Sequence, residues 1–200
     1  MQGSTSVGAD HHSIEQISRR GQTCTLLIQA IRSVLAQLRE ALELVSDAQY
    51  TTRPVGNFDS SIGGHVRHCL DHIASICSAQ SADTLDYDLR ERGTAVECDR
   101  SCALREIDRL SRALEHWNDE NADRGIRLAV TLSGDGARAM VDSTLGRELA
   151  FVHSHTIHHN ATIASMARTL GAALPDRFGY APATLAYLRQ NACAPSPSSA

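Results

Sequence analysis

Apolar side chains recur at intervals of three and four residues along much of the chain, which is the spacing of the buried face of an amphipathic helix. The first such stretch runs from Leu27 to Val45, and Pro54 and Gly56 lie beyond it. Because proline and glycine disfavour continued helix, they separate the first helix from the second. The predicted core positions of the first three helices are Leu27, Ile31, Leu35, Leu38, Leu42 and Val45, then Ile62, Val66, Leu70, Ile73 and Ile76, then Leu104, Ile107, Leu110, Leu114 and Trp117.

Capping residues indicate where these helices begin, since their side chains accept hydrogen bonds from the first backbone N–H groups. Ser13–Gln16 and Thr94–Glu97 have the form of a capping box and are expected to open the first and third helices. Asp59 or Ser60 is expected to open the second. The remaining predicted bounds are an end near Ala79 for the second helix, a fourth long helix from Ser143 or Thr144 to Gly171, and a short last helix over Pro182–Arg189.

The period of the pattern changes from helical to alternating between the third and fourth long helices. Residues 126–132 and 137–142 alternate on either side of the glycine-rich turn 133–136, which predicts a short β-hairpin. We expect extended structure only in this stretch, and no sheet of three or more strands.

Four amphipathic helices of this length predict an all-α four-helix bundle with a short β-hairpin before the last long helix. The long connection over residues 80–94 allows a crossover between helices that are not neighbours in the chain. We expect one domain over residues 13–192, a flexible leader over 1–12 and a disordered tail over 193–200.

Composition narrows the classes of function. The 200 residues are 42% hydrophobic with a formal net charge of −4, which gives no basis for nucleic-acid binding. All 19 basic residues are arginine, so a lysine Schiff base, a P-loop and a lysine general base are excluded. No run is apolar and long enough to predict a membrane span.

The six cysteines lack any CxxC spacing, and nothing at the N-terminus resembles a secretion signal. We therefore expect reduced thiols in a cytoplasmic protein. Cys98 and Cys102 share a helical face and Cys69 adjoins His68, so a mixed cysteine–histidine zinc site is an alternative to buried apolar thiols.

Seven of the ten histidines fall in two short segments, at His65, His68 and His72, and at His153, His155, His158 and His159. Residues four apart lie about 40° apart on a helix, so His155 and His159 share one face, with His158 on its flank and His153 pointing away. If the second helix packs alongside, a third imidazole completes a site with an open position, which is typical of catalytic zinc centres. The alternative is that these histidines are polar side chains that bind no ion.

The two histidine segments, in this order and separation, resemble the DinB/YfiT-like family. Its first motif is matched by Phe58 through Asp71, with Ser61 seven residues before His68-Cys-Leu-Asp71. Its HxxxH motif is matched by His155 and His159. The resemblance covers about residues 20–190. Phe58 stands where a tryptophan is common in the family. His65, His72 and His158 are additional histidines that either substitute for the ligands or surround them.

The resemblance implies a four-helix bundle, often dimeric, that binds one divalent metal ion, nickel or zinc, through His68, His155 and His159. The family is chemically diverse. The resemblance favours a metal-dependent transferase acting on a small substrate with a low-molecular-weight thiol. The alternatives are a metal-dependent hydrolase using water and a non-enzymatic metal-binding bundle.

Several charged residues lie near the predicted ligands in sequence. Glu148 is expected either to orient a histidine, to act as a base, or simply to favour the helix N-terminus as a first-turn acid. Asp71 is one turn from His68, and Arg67 and Arg147 are candidates to pair with these acids or to bind an anionic substrate. The segment 87–92 is either a solvated charged loop or a source of side chains that line the mouth of a site. We expect the His68 and His159 rings to lie within 10 Å of each other.

Overall fold

The computed structural model describes residues 7–55, 59–80, 82–89, 93–117 and 121–192, with side chains from residue 22 to residue 190. Over these residues the chain is mostly helical. In chain order the elements are α1 (Val7–Leu44), α2 (Asp47–Thr51), α3 (Ile62–Ser78), β1 (Thr84–Asp86), α4 (Ala95–Cys98), α5 (Arg100–Glu115), β2 (Gly125–Thr131), β3 (Arg138–Thr144), α6 (Leu145–Thr169) and α7 (Pro182–Ala192).

The four long helices α1, α3, α5 and α6 form the bundle that the apolar pattern predicts. Helix α1 packs against α5 and α6, and α3 packs against the same two helices. The five apolar positions predicted for α3 are all buried, as are Ile31, Leu35, Leu38, Leu42 and Val45 of the first stretch. Burial of these stripes against one another provides the main favourable free energy of the fold.

Helix α1 begins earlier than the predicted capping box at Ser13. Its backbone is helical from Val7, so the second half of the predicted leader belongs to the helix. No proline between Val7 and Ser13 stops the helix from extending upstream. Residues 1–6 of the leader and the predicted tail 193–200 lie outside the described residues.

Two other predicted helix starts are also displaced. Helix α3 begins after Ser61, whose Oγ accepts a hydrogen bond from the Gly64 N–H at 3.1 Å, rather than after Asp59 or Ser60. Thr94 makes no capping bond with its side chain. Instead, the Asp99 carboxylate accepts from two backbone N–H groups and caps α5, so the predicted third helix is divided into α4 and α5.

The predicted hairpin is confirmed, but the expectation of extended structure only in residues 126–142 is wrong. Strands β2 and β3 pair antiparallel, and β1 adds a third strand parallel to β2, with Leu85 opposite Leu128. A three-residue strand shows too little alternation for a pattern to reveal it, and only Leu85 is buried. This strand anchors the crossover from α3 to α4 against the end of the bundle.

The described cysteines form no disulfide. Cys24 and Cys69 are buried, as expected for apolar thiols, whereas Cys98 is exposed. Burial raises the pKa of the Cys69 thiol well above its usual range, and it raises that of Cys77 to about 11. None of the described helices combines the length and the apolar character needed to cross a lipid bilayer.

A close contact at the start of α3 fixes this helix against α4. A Cβ atom added at Gly63 would lie 2.1 Å from the Glu97 carbonyl oxygen and 2.7 Å from the Tyr50 ring. The Tyr50 hydroxyl in turn donates to the Val96 carbonyl at 2.6 Å. Only glycine allows the two backbones to approach so closely.

We expect Gly63→Ala to lower the free energy of unfolding by about 1–3 kcal/mol, the usual cost of overpacking. Alanine normally favours a helix over glycine by about 1 kcal/mol, so a loss of stability isolates the effect of the contact. Gly134→Ala in the hairpin turn is the control, because its added Cβ meets nothing within 4 Å. Urea unfolding measures both variants. Equal stability of Gly63→Ala and the wild type would contradict this packing.

Candidate metal centre

The faces that α3 and α6 present to each other carry histidines from both sequence segments. The Nε2 atoms of His68 and His155 lie 2.9 Å apart. The ring centroids of His68 and His159 are separated by 4.6 Å, far below the 10 Å limit expected from the sequence. The second and fourth long helices therefore face each other through their histidines, as predicted.

The nitrogens best placed for one ion belong to His68, His72 and His155. One ring nitrogen from each lies within 4.8 Å of the others. The Nδ1 of His72 is 2.9 Å from the backbone oxygen of His68. Since a carbonyl oxygen only accepts hydrogen bonds, Nδ1 carries the proton and the lone pair of His72 is at Nε2. A hydrogen bond from the ring nitrogen that does not face the ion is the usual way in which a protein orients a ligating imidazole.

His159, the third ligand implied by the family resemblance, lies directly beside this group. Its ring centroid is 4.5 Å from that of His155. Its Nδ1 is 3.0 Å from the Nδ1 of His65, so one of these two nitrogens donates and the other accepts. The structure thus brings all three predicted ligands together. It also places beside them His72, one of the additional histidines expected to substitute for the ligands or to surround them.

Burial and crowding lower the pKa of two imidazoles of this cluster. Burial, together with the neighbouring His155, His65 and His158, lowers the pKa of the His159 imidazole to about 3. Burial and the adjacent His158 also lower the pKa of His65. Neutral imidazole is the form that binds metal, so the lowered pKa of His159 favours the form of that ring that can ligate an ion.

The two remaining histidines of α6, His153 and His158, are not part of the group. His158 is exposed, with its ring 5.2 Å from that of His159. His153 faces a separate cavity beside Tyr180 and Pro182, and burial lowers its pKa. Its position agrees with the prediction that His153 points away from the ligands.

Aromatic side chains line the other side of the cluster. The Tyr87 ring stacks on His72 with centroids 4.8 Å apart and planes 9° apart. Phe151 stacks on His155 at 5.3 Å and lies 5.3 Å from Tyr87. The sequence left Tyr87 either in a solvated loop or at the mouth of a site, whereas in the structure it lies against a histidine of the cluster. Arg90 and Arg92 of the same segment, and Phe58 of the first motif, lie outside the described residues.

Glu148 is a fully buried carboxylate next to this aromatic wall. It accepts hydrogen bonds from the Tyr87 hydroxyl at 3.0 Å, from Ser143 Oγ at 2.6 Å and from the Arg147 guanidinium at 2.9 Å. Glu148 does lie in the first turn of α6, but its contacts exceed a simple interaction with the helix N-terminus. The apolar pattern did not indicate Ser143 as a partner of Glu148, because it is the hairpin that brings the hydroxyl close.

The other candidate charges, Arg67, Asp71 and Arg147, take part in ion pairs or a ring contact. Arg67 lies 3.0 Å from a carboxylate oxygen of Glu97 and 3.8 Å from one of Asp71. The arginine therefore links α3 to α4. Arg147 lies over the Phe151 ring, with its central carbon 5.3 Å from the centroid.

The donor set suits a divalent ion. Borderline ions such as zinc and nickel favour imidazole nitrogen, and two ligands of one tetrahedral ion lie about 3.3 Å apart, close to the 2.9 Å between the His68 and His155 nitrogens. Among the described residues, the group of three candidate ligands contains only histidine and no cysteine. The mixed cysteine–histidine alternative has no counterpart in this geometry.

Residues 30–163 match the family model of the DinB superfamily. The chain belongs to the DinB superfamily. Two solved structures from Bacillus subtilis share its fold. The DinB-like protein YjoA has a TM-score of 0.57 and 18% identity, covering 76% of this chain and 98% of YjoA. YfiT, described as a probable metal-dependent hydrolase with an unusual four-helix bundle topology, has a TM-score of 0.53 and 20% identity, covering 86% of this chain and 95% of YfiT.

A curated relative is FK506-binding protein 5 of Rhizopus delemar, which is 32% identical over 114 residues. The match covers 56% of this chain but only 30% of that protein. This DinB-superfamily chain therefore corresponds to less than a third of the length of its fungal relative.

We expect His68→Ala and His155→Ala to lose bound zinc or nickel, since each removes a nitrogen from the centre. The affinity should fall by more than the roughly 10–100-fold that loss of an outer partner costs. His153→Ala, on the same helix, is the matched control and should keep one equivalent. Metal content after dialysis measures all three variants.

The same measurement identifies the third ligand. If His159 ligates, as the family resemblance implies, His159→Ala loses metal, and if His72 ligates, as its nitrogen position suggests, His72→Ala does. Full occupancy in both His68→Ala and His155→Ala would contradict a centre at this place.

Proposed function

We propose that the chain is a metal-dependent transferase that acts on a small substrate with a low-molecular-weight thiol. The observation that carries the proposal is the convergence of imidazole nitrogens from α3 and α6 within 4.8 Å. Three neutral ligands leave coordination positions open on a divalent ion, which a structural site would close with a fourth protein ligand.

In this proposal His68 and His155 hold the ion, together with His159 or His72. When bound, such an ion supplies Lewis acidity, which lowers the pKa of a thiol or a water molecule that it coordinates. The metal is proposed to be nickel or zinc, as the imidazole ligands favour.

The residues around the ligands orient the site. The backbone oxygen of His68 fixes the tautomer of His72, and Tyr87 and Phe151 cover the rings of His72 and His155. The carboxylate of Glu148 is occupied by three donors, so we assign it an anchoring role rather than that of a general base. Such a preorganised environment is what an active site requires of its supporting residues.

Hydrolysis by an activated water molecule is the second candidate function. It is supported by the structural similarity to YfiT, which is described as a probable metal-dependent hydrolase. The same open ion serves either nucleophile, so the two functions differ in the ligand that enters rather than in the protein ligands.

We also propose that the protein is cytoplasmic and forms a homodimer. Reduced thiols support the first, since the described cysteines form no disulfide. The second is supported by the family resemblance alone, and light scattering of the purified protein measures it.

Cobalt substitution tests thiol binding directly. We expect N-acetylcysteine added to the cobalt-loaded protein to produce a sulfur-to-cobalt charge-transfer band, because an open position accepts the thiolate. His153→Ala should show the same band, and His68→Ala should lack it.

The outcomes separate the candidate functions. If cobalt loads and the thiol leaves its spectrum unchanged while azide perturbs it, thiol transfer is wrong and hydrolysis takes its place. If neither added ligand reaches the ion, the site is closed and the protein is a non-enzymatic metal-binding bundle.

A further inference from the structure

We propose that Glu148 and Tyr87 form a positioning pair that fixes the imidazole plane of His72 and, through it, the arrangement of nitrogens at the metal centre. The inference rests on the proposed metal centre and assigns a role to two residues outside its ligands.

The buried carboxylate of Glu148 is the fixed point of this arrangement. Its side chain is fully buried. Burying an ionised group is costly unless hydrogen bonds and an opposite charge compensate it. Ser143 Oγ and the Arg147 guanidinium provide this compensation on one oxygen, at 2.6 and 2.9 Å. Helix α6 and the end of β3 therefore hold the carboxylate in place.

The second oxygen of Glu148 accepts the hydroxyl proton of Tyr87 at 3.0 Å. Tyr87 directly follows β1, so the short strand and this hydrogen bond together set the position of its ring. The ring then lies nearly parallel to that of His72, with planes 9° apart and centroids 4.8 Å apart. A flat ring held on one side limits rotation of the imidazole about its Cβ–Cγ bond.

The other side of His72 faces the histidine cluster. Its ring stacks on that of His155, with centroids 4.4 Å apart, and its Nδ1 is held by the backbone oxygen of His68. The His72 ring thus lies between the anchored ring of Tyr87 and that of His155, a proposed metal ligand. Outer partners that orient a ligating imidazole in this way typically contribute 10–100-fold in metal affinity.

Three variants separate the contribution of the Tyr87–Glu148 hydrogen bond from that of the ring stacking on His72. They are Tyr87→Phe, Tyr87→Leu and Glu148→Gln. Tyr87→Phe keeps the ring and removes the hydroxyl, Tyr87→Leu also removes the stacking, and Glu148→Gln removes the charge. Tyr50→Phe is the matched control. It also removes a buried tyrosine hydroxyl, the one that donates to the Val96 carbonyl of α4.

We expect Tyr87→Phe and Glu148→Gln to weaken zinc binding about 10-fold and Tyr87→Leu more strongly, toward 100-fold. The visible absorption bands of the cobalt-loaded variants should shift, because the ligand geometry changes. Tyr50→Phe should keep the wild-type affinity and spectrum even if its melting temperature falls. Lower thermal stability with unchanged affinity and spectrum in the Tyr87 and Glu148 variants would overturn the proposal.

A second measurement on the metal-free protein distinguishes failure of this inference from failure of the proposed function. The imidazole carbon–proton NMR signals of His72 should move in Tyr87→Phe and stay in place in Tyr50→Phe. If the wild type binds no zinc, nickel or cobalt, the proposed function is wrong, and these signals still decide whether the pair positions His72. Unchanged His72 signals in Tyr87→Phe would reject the positioning role.

Discussion

The packing of α3 against α6 is the contact on which the candidate centre depends. Apolar residues on each helix, such as Leu70 and Ile73 on α3 and Leu149 and Val152 on α6, belong to one buried core. Because side chains four apart share a helical face, this packing also directs the histidines of the two helices toward each other. The histidine cluster is thus positioned by the packing of the apolar residues around it.

The small sheet serves the same site from outside the bundle. Its parallel strand β1 holds the crossover between α3 and α4, and the residue that follows it is Tyr87. Its antiparallel strand β3 ends at Thr144, the N-cap of α6, and carries Ser143 to the buried Glu148. Side chains at both edge strands of the sheet therefore donate to one carboxylate, that of Glu148. This carboxylate links the sheet to the histidine cluster.

Helical periodicity was sufficient to predict the bundle, the hairpin and the facing of the two histidine segments. Those features depend on residues three and four apart, which the sequence displays directly. The pattern did not reveal β1, because three residues with one buried side chain leave no repeat. It placed the third helix start at Thr94, whereas the nearby Asp99 competes more effectively for the backbone N–H groups.

The details of the centre were harder to predict for a physical reason. Spacing shows which histidines share a face, but the rotation of each ring depends on partners distant in sequence, such as Tyr87 and Glu148. For that reason the sequence alone did not indicate the orientation of the His72 ring, which is set by the hydrogen bond of its Nδ1 to the backbone oxygen of His68. The proposed ligands His68 and His155 are common to the family motif and to the geometry.

X-ray absorption at the zinc edge tests the central claim most directly, because it reports the atoms around the ion without assuming a reaction. A centre built from α3 and α6 predicts a first shell of nitrogen or oxygen at about 2.0–2.1 Å, with the multiple-scattering pattern of about three imidazole rings. A sulfur shell at about 2.3 Å, or a shell without imidazole scattering, would contradict the account.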